Sequence, residues 1–317
     1  MKVVFTGASS FGLRCLDSIR GLPSVDVVGV ITNNQNFKIS YAPQEGVSNV
    51  LYADFADYAE DNDIDCYTMA DKMSEPGLEA CLEQWQADIM IVVGWYHMVP
   101  NSILNHLPTY GMHASLLPDY SGGAPLVWAI INGEEQTGIS LFRFADGVDN
   151  GPLVGQMTTP IDHRDTIKTV YERIEILGCE LLSANLPLLA TGKAPHKVQD
   201  ESKRRIFTQR KPSDGLIDWH QTAAEIYNFV RAQTHPYPGA FTALDGGKVT
   251  IWSAGIGLQV SDGSKAVGQL IVFQQQVYVV CGGNSLLQLK QVEHNNEEQD
   301  SWQWYCRLKD HASRYFT

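Results

Sequence analysis

The sequence predicts an α/β protein: a doubly wound, Rossmann-like, mostly parallel sheet followed by a smaller, β-rich domain. Three observations carry the prediction. The chain opens with a β-branched run (Lys2–Thr6), a glycine turn (Gly7-Ala-Ser-Ser-Phe-Gly12) and apolar residues at helical spacing, Leu13, Leu16 and Ile19. Strand, glycine turn and helix in that order open a doubly wound sheet. From Asp88 to Val93 the chain is almost wholly apolar, as suits a parallel strand buried on both faces. From Lys248 onward the pattern changes to short alternating runs, VTIWSA, AVGQLIVF, QVYVVC and SLLQLKQV, split by glycine-bearing turns. That pattern predicts a small antiparallel barrel or sandwich.

In chain order, Val25–Thr32 is the second predicted strand, residues 33–50 a polar loop, residues 51–62 a helix, and Ile64–Thr68 a strand. A helix over residues 74–84 leads to the apolar strand, whose carboxyl end carries Gly94-Trp95-Tyr96-His97-Met98. Ligands of open α/β sheets sit outside the carboxyl ends of the strands, so this segment is a candidate wall; the aromatic residues also suit plain loop packing. Residues 102–106 form a short helix and Tyr110–His113 a strand; a glycine-rich loop, an apolar helix and an alternating strand through Ile139, Leu141, Phe142 and Phe144 follow. After a short strand near residue 154, Asp165 caps a long helix that runs to Ala190, with Ile167, Val170, Ile174, Leu177 and Leu181 on its core face. The polar connector 192–202 divides the chain into domains 1–200 and 201–317. In the second domain a helix over residues 223–233 is stopped by Pro236 and Pro238.

Composition is that of an ordinary soluble globular protein, 44% hydrophobic and 19% charged. Net charge is 23 − 36 = −13. An acidic surface repels nucleic-acid phosphates unless cations gather in one patch. The six cysteines are scattered without a CxxC pair, as expected for buried thiols in a reducing cytoplasm. No secretory leader, membrane span or metal-ligand cluster is read from the sequence, so a cytoplasmic, metal-free protein is expected.

The chemistry concentrates between Met112 and Gly151. A histidine precedes Ser115-Leu-Leu-Pro118, and an acidic turn, Ala145-Asp-Gly-Val-Asp-Asn-Gly151, closes the stretch. A helix followed by a strand folds back, which brings His113 toward Asp149. Such a pair moves protons: the carboxylate orients the imidazole and stabilises its charged form. Asp146 is the turn residue of the acidic loop.

This stretch resembles the formyltransferase family that uses N10-formyltetrahydrofolate, whose members include methionyl-tRNA formyltransferase, glycinamide ribonucleotide transformylase and the sugar N-formyltransferases. The family pattern is Asn-x-His-x-Ser-Leu-Leu-Pro, a glycine-rich loop ending in Pro, and Asp-x-Gly downstream. His113, Ser115, Leu116, Leu117, Pro118, Gly122, Pro125, Gly138, Asp149 and Gly151 fill it. One position departs: Gly111 stands where the family has an Asn that donates to the developing oxyanion. The resemblance implies three outcomes: a water or another side chain, such as Asn150 or Ser115, takes that role; His113 works alone and more slowly; or catalysis is lost.

The resemblance covers nearly the whole chain and implies a Rossmann-like catalytic domain with an OB-like C-terminal barrel. It implies His113 and Asp149 as catalytic residues, and Gly94, Trp95, Tyr96, Met98, Asp146 and Val148 around the folate. Ser9, Ser10, Phe11, Ser115, Arg210 and Lys211 are the implied substrate-binding set, and a homodimer the implied assembly. The segment from Arg210 to Phe241 is most similar to the sugar N-formyltransferases. The loop over residues 32–50, cationic in methionyl-tRNA formyltransferases, carries only Lys38 here. The expected substrates are therefore N10-formyltetrahydrofolate and a dTDP-linked 4-amino-4,6-dideoxyhexose, with methionyl-tRNA formylation or non-catalytic binding as alternatives. No nucleic-acid partner and no membrane are expected.

Overall fold

The computed structural model describes residues 1–39, 42–257, 265–308 and 315–316. The strands are β1 (Lys2–Thr6), β2 (Asp26–Asn33), β3 (Asn36–Ile39), β4 (Ala42–Ser48), β5 (Cys66–Met69), β6 (Ile89–Val92), β7 (Thr109–His113), β8 (Ser121–Gly122), β9 (Gln136–Arg143), β10 (Leu153–Pro160), β11 (Ile206–Phe207), β12 (Ala240–Leu244), β13 (Gly247–Ile256), β14 (Leu270–Phe273), β15 (Gln276–Val280), β16 (Leu286–His294) and β17 (Glu297–Asp300). The helices are α1 (Ser10–Arg20), α2 (Phe55–Asp61), α3 (Pro76–Trp85), α4 (Asn101–Leu104), α5 (Pro125–Ile131), α6 (Ile167–Ala190), α7 (Ala223–Arg231) and α8 (Ser301–Arg307).

Seven strands form the first sheet, in the order β10-β9-β7-β6-β1-β2-β5. β1 pairs in parallel with β2 and β6, β2 with β5, and β6 with β7, while β7 and β9 run antiparallel. The chain builds outward from β1 through β2 and β5, then returns to the other side of β1 through β6 and β7. That reversal opens a crevice at the carboxyl ends of β1 and β6, where such folds bind ligands. β6 is wholly buried, as its apolar composition requires.

Two compact units emerge. One comprises residues 1–122, 137–159 and 172–206; the other comprises 123–136, 160–171 and 207–317. Within the second, β12-β13-β16-β15-β14 form one antiparallel sheet with β17 on β16. Its core gathers Ile217, Trp219, Val230, Ile251, Val279 and Leu289 around Trp304.

The aromatic tail is structural. Trp304 of α8 is 2% exposed and its ring stacks 6.0 Å from that of Phe316. Trp304→Ala should therefore cost about 3–5 kcal/mol of stability, read by denaturant unfolding; a loss below a small fraction of that would take the tail out of the core.

Several sequence expectations shift. Residues 33–50 are not a plain polar loop but hold the β3–β4 hairpin, in which Phe37 pairs with Val47. Phe37 is buried against the rings of Tyr96 and His97, a tertiary contact that overrides the polar local composition. The second helix starts at Phe55 rather than 51 because the Asp54 carboxylate caps it, accepting from the Ala56 and Asp57 amides. Cys66 and Cys306 are exposed rather than buried, while all six cysteines are free. Among the described residues, no helix is long and apolar enough to cross a membrane.

Candidate active site

A cavity of about 320 Å³ opens at the carboxyl ends of β6 and β7. Gly94, Trp95, Tyr96, His97 and Met98 form one wall, and Phe142, Phe144, Gly147, Val148 and Asp149 another, with His113 between them. Strand β7 delivers His113 at its last residue. The left-handed turn at Asp149 (φ 51°) turns its carboxylate back toward the histidine.

His113 Nε2 lies 2.7 Å from the Tyr120 carbonyl oxygen, which can only accept, so Nε2 carries a proton. Nδ1 is left facing Asp149 Oδ2 at 3.5 Å, too far for a strong direct hydrogen bond but close enough for charge stabilisation. The same Oδ2 accepts the Gly122 amide at 2.8 Å. In the neutral ring, Nδ1 is thus the basic nitrogen at the cavity, with a carboxylate placed to hold the imidazolium once it forms.

The remaining wall is anchored from behind. Trp95 Nε1 donates to Met73 Sδ, and the Tyr96 hydroxyl donates to Asn49 Oδ1. Burial pushes the His97 imidazole below its ordinary range, and its Nε2 lies 3.2 Å from Asn33 Nδ2. Gly94 has φ 62°, and a Cβ there would meet Ser9 Oγ at 1.8 Å, so the loop approaches α1 as only glycine allows. Met98 and Val148 are exposed at the mouth.

Gly111 has a direct steric explanation. A Cβ there would lie 2.1 Å from Cε1 of the Phe144 ring, so this ring fills the space of any side chain at 111. The cavity therefore lacks a side-chain donor at that point. Of the nearby side chains, Asn150 Nδ2 donates one hydrogen to the Asp146 carbonyl, and the Ser115 hydroxyl donates its only one to the Asp119 carbonyl.

The expected substrate residues are not gathered in this cavity. Ser9 caps α1, accepting from the Gly12 amide, and is buried. The Ser10 amide donates to the Leu51 carbonyl. Phe11 is buried where α1 meets α6, its ring 2.4 Å from the Cβ position of Gly178. Ser115 is also buried, so these residues frame the sheet. Asp146 is exposed beside the cavity and contributes its carbonyl to the turn.

Arg210 and Lys211 lie in the second unit. The Arg210 guanidinium sits 4.7 Å from the Trp128 ring and 5.5 Å from that of Phe229 and donates to the Asp214 carbonyl and the Gln233 amide oxygen. Burial lowers its pKa below the usual arginine value. The Lys211 side chain is exposed, and its amide donates to the Asp214 carboxylate. The sequence reading missed Trp128, Phe144, the Tyr120 carbonyl and the run Lys203-Arg204-Arg205. Only the last had a local signal, three cations in a row directly after the polar connector.

A group-transfer enzyme of the doubly wound α/β class fits this arrangement: a crevice at the switch point with a histidine facing a carboxylate in it. The chain belongs to the formyl transferase family: residues 1–186 match the formyl transferase model and residues 210–309 the formyl transferase C-terminal domain. It is 32% identical over 293 residues to a methionyl-tRNA formyltransferase of Geotalea uraniireducens, covering 90% of this chain and 88% of that protein.

Two solved structures share the fold. An N-formyltransferase from Helicobacter canadensis, in complex with folinic acid and dTDP-3-aminofucose, matches with TM-score 0.62 and 18% identity over 91% of this chain and 98% of that one. HypX from Aquifex aeolicus in complex with tetrahydrofolic acid matches with TM-score 0.59 and 16% identity over 96% of this chain. The chain spans about half the length of that structure, 46%.

Proposed function

We propose that this formyltransferase moves the formyl group of N10-formyltetrahydrofolate to the amine of a nucleotide-linked amino sugar, a 4-amino-4,6-dideoxyhexose on dTDP. The cavity fits the folate's ring end: aromatic and apolar walls, with the loops over residues 94–98 and 145–149 offering backbone groups. The folate supplies the formyl carbon. The amine nitrogen bonds to that carbon as its bond to N10 breaks; His113 Nδ1 takes the proton that the amine loses and returns it to the departing N10, with Asp149 holding the imidazolium in between. With Phe144 in place of a donor, the proton that Nδ1 has taken also serves to stabilise the oxyanion.

The observation that carries the acceptor is the Arg210 cradle. Its two aromatic faces and two neutral oxygen acceptors hold a guanidinium that suits a pyrophosphate. Three cations that follow one another, Lys203, Arg204 and Arg205, pair with Asp200, Glu201 and Asp119. A net charge of −13 supports a small acceptor over a tRNA stem, whose phosphates an acidic surface repels. Isothermal titration with dTDP tests the cradle. Arg210→Ala should weaken dTDP binding by about tenfold or more, since charge-assisted bonds contribute about 1.5–3 kcal/mol. Arg210→Lys should not restore it, because an ammonium lacks the planar fork. Unchanged dTDP affinity in Arg210→Ala would remove the phosphate role.

A second reading, formylation of initiator methionyl-tRNA, is favoured by the 32% identical relative. Turnover separates both readings from a non-catalytic binder. A metal-free, cytoplasmic homodimer is the accompanying proposal.

A further inference from the structure

The connector after α6 reaches back to the His113–Asp149 pair from both sides. Gln199 is 5% exposed, and its amide nitrogen donates to the Asp149 carbonyl at 2.7 Å and the Gly151 carbonyl at 2.6 Å. These two bonds grip the backbone on either side of the left-handed turn that aims the Asp149 carboxylate. Arg204, with a side chain 10% exposed, adds a second grip. Its Nη1 donates to the Ser121 hydroxyl at 2.5 Å and the Val148 carbonyl at 3.2 Å, and its Nη2 to Gln199 Oε1 at 3.1 Å. Glu201 supplies its counter-charge and, with Asp149 as a lesser contributor, raises the Arg204 pKa above the usual arginine value.

Arg205 serves the other half. Its fork donates to both Asp119 oxygens, at 2.7 and 2.6 Å, and its guanidinium lies 4.7 Å over the Tyr120 ring. Its carbonyl accepts the Ser121 amide at 3.0 Å. Tyr120 has φ 55°, and its carbonyl accepts the His113 Nε2 proton, fixing the tautomer that leaves Nδ1 basic.

We propose that Gln199, Arg204 and Arg205 are positioning residues: one segment holds Asp149 through its backbone and His113 through Tyr120, so both members of the pair are set by the same strap. The proposal rests on the reading of His113 and Asp149 as the reacting pair. It also gives Arg204 and Arg205 of the basic run partners within the chain.

Three variants test it: Arg205→Met, Arg204→Met and Gln199→Glu, the last keeping side-chain volume while replacing the donor by an acceptor. The acceptor-independent readout is the imidazole N–H signal of His113 in a proton–nitrogen correlation spectrum, assigned by its loss in His113→Asn. In the unaltered protein the Nε2 proton is protected by the Tyr120 carbonyl and gives a sharp signal. In Arg205→Met it should broaden into exchange with water, with Arg205→Lys unable to rescue it. In all three variants kcat should fall by about 10²-fold, as expected when reacting groups are misplaced by an ångström or so. KM for the folate should change far less than kcat, because the wall over residues 94–98 is untouched.

Folded variants with an unaltered His113 signal and unaltered kcat would overturn the proposal, as would a raised KM at constant kcat. If an arginine variant fails to fold, Gln199→Glu carries the test. If the unaltered protein formylates neither amino sugar nor tRNA, the functional reading fails, while the His113 signal still decides the strap.

Discussion

His113→Ala should abolish most turnover and leave binding intact. Proton transfer by a positioned side chain contributes about 10²–10⁴-fold to rate. The loss here is expected at the upper end, because His113 faces the reaction without a side-chain donor at position 111. The histidine lies in a cavity whose walls are anchored independently, Trp95 on Met73 and Tyr96 on Asn49. Folate affinity, measured by fluorescence quenching, should therefore remain close to that of the parent. Single-turnover rates give the other half of the test; a variant that keeps a tenth or more of the parent rate (about 1.4 kcal/mol) would take the histidine out of the mechanism. Asp149→Asn should fall between the two, since the ring stays anchored at Nε2 by Tyr120 while the charge beside Nδ1 is gone.

Gly111→Asn is the second large effect, and its sign is set by packing. Restoring the family's donor looks like a repair when only the sequence is considered. In the fold, the new Cβ would fall 2.1 Å from one carbon of the Phe144 ring and 2.5 Å from another. Phe144 is itself held 5.2 Å from the Phe142 ring and packs on the cluster of Leu117, Phe142 and Leu153. Overpacking of this kind costs about 1–3 kcal/mol, and displacing the ring closes the cavity it lines. The single variant should therefore lose stability and activity together. Gly111→Asn combined with Phe144→Ala should recover stability relative to the single variant and exceed its rate, since an oxyanion donor contributes about 2.7–4 kcal/mol. A stable Gly111→Asn variant with a raised rate would show that the ring gives way.

What could be read in advance, and what could not, follows from how far each signal reaches along the chain. The β1–α1 opening and the buried β6 declare themselves because strand and helix periods and apolar runs are local. His113 and Asp149 were legible as a pair because a motif brackets them, although they are far apart in sequence. The partner of Gly111 was not legible: nothing local says that Phe144, one strand away, fills its space. The β3–β4 hairpin was hidden because its buried Phe37 packs on Tyr96 and His97 rather than on neighbours in sequence. That Gln199 is buried against the turn holding Asp149 was not legible, because a polar stretch carries no sign of a distant packing partner. Ser9, Phe11 and Ser115 were legible as residues of a strand end and a motif, but burial assigns them to the frame.

The central claim is the acceptor, and one assay addresses it directly. The purified protein is supplied with N10-formyltetrahydrofolate and, in parallel reactions, a dTDP-linked 4-amino-4,6-dideoxyglucose or charged initiator methionyl-tRNA, with formation of the formylated product followed by mass. The account predicts formylation of the amino sugar and none of the tRNA. Formylation of the tRNA alone would contradict it, showing that the acidic surface with its internally paired arginines still accommodates an acceptor stem.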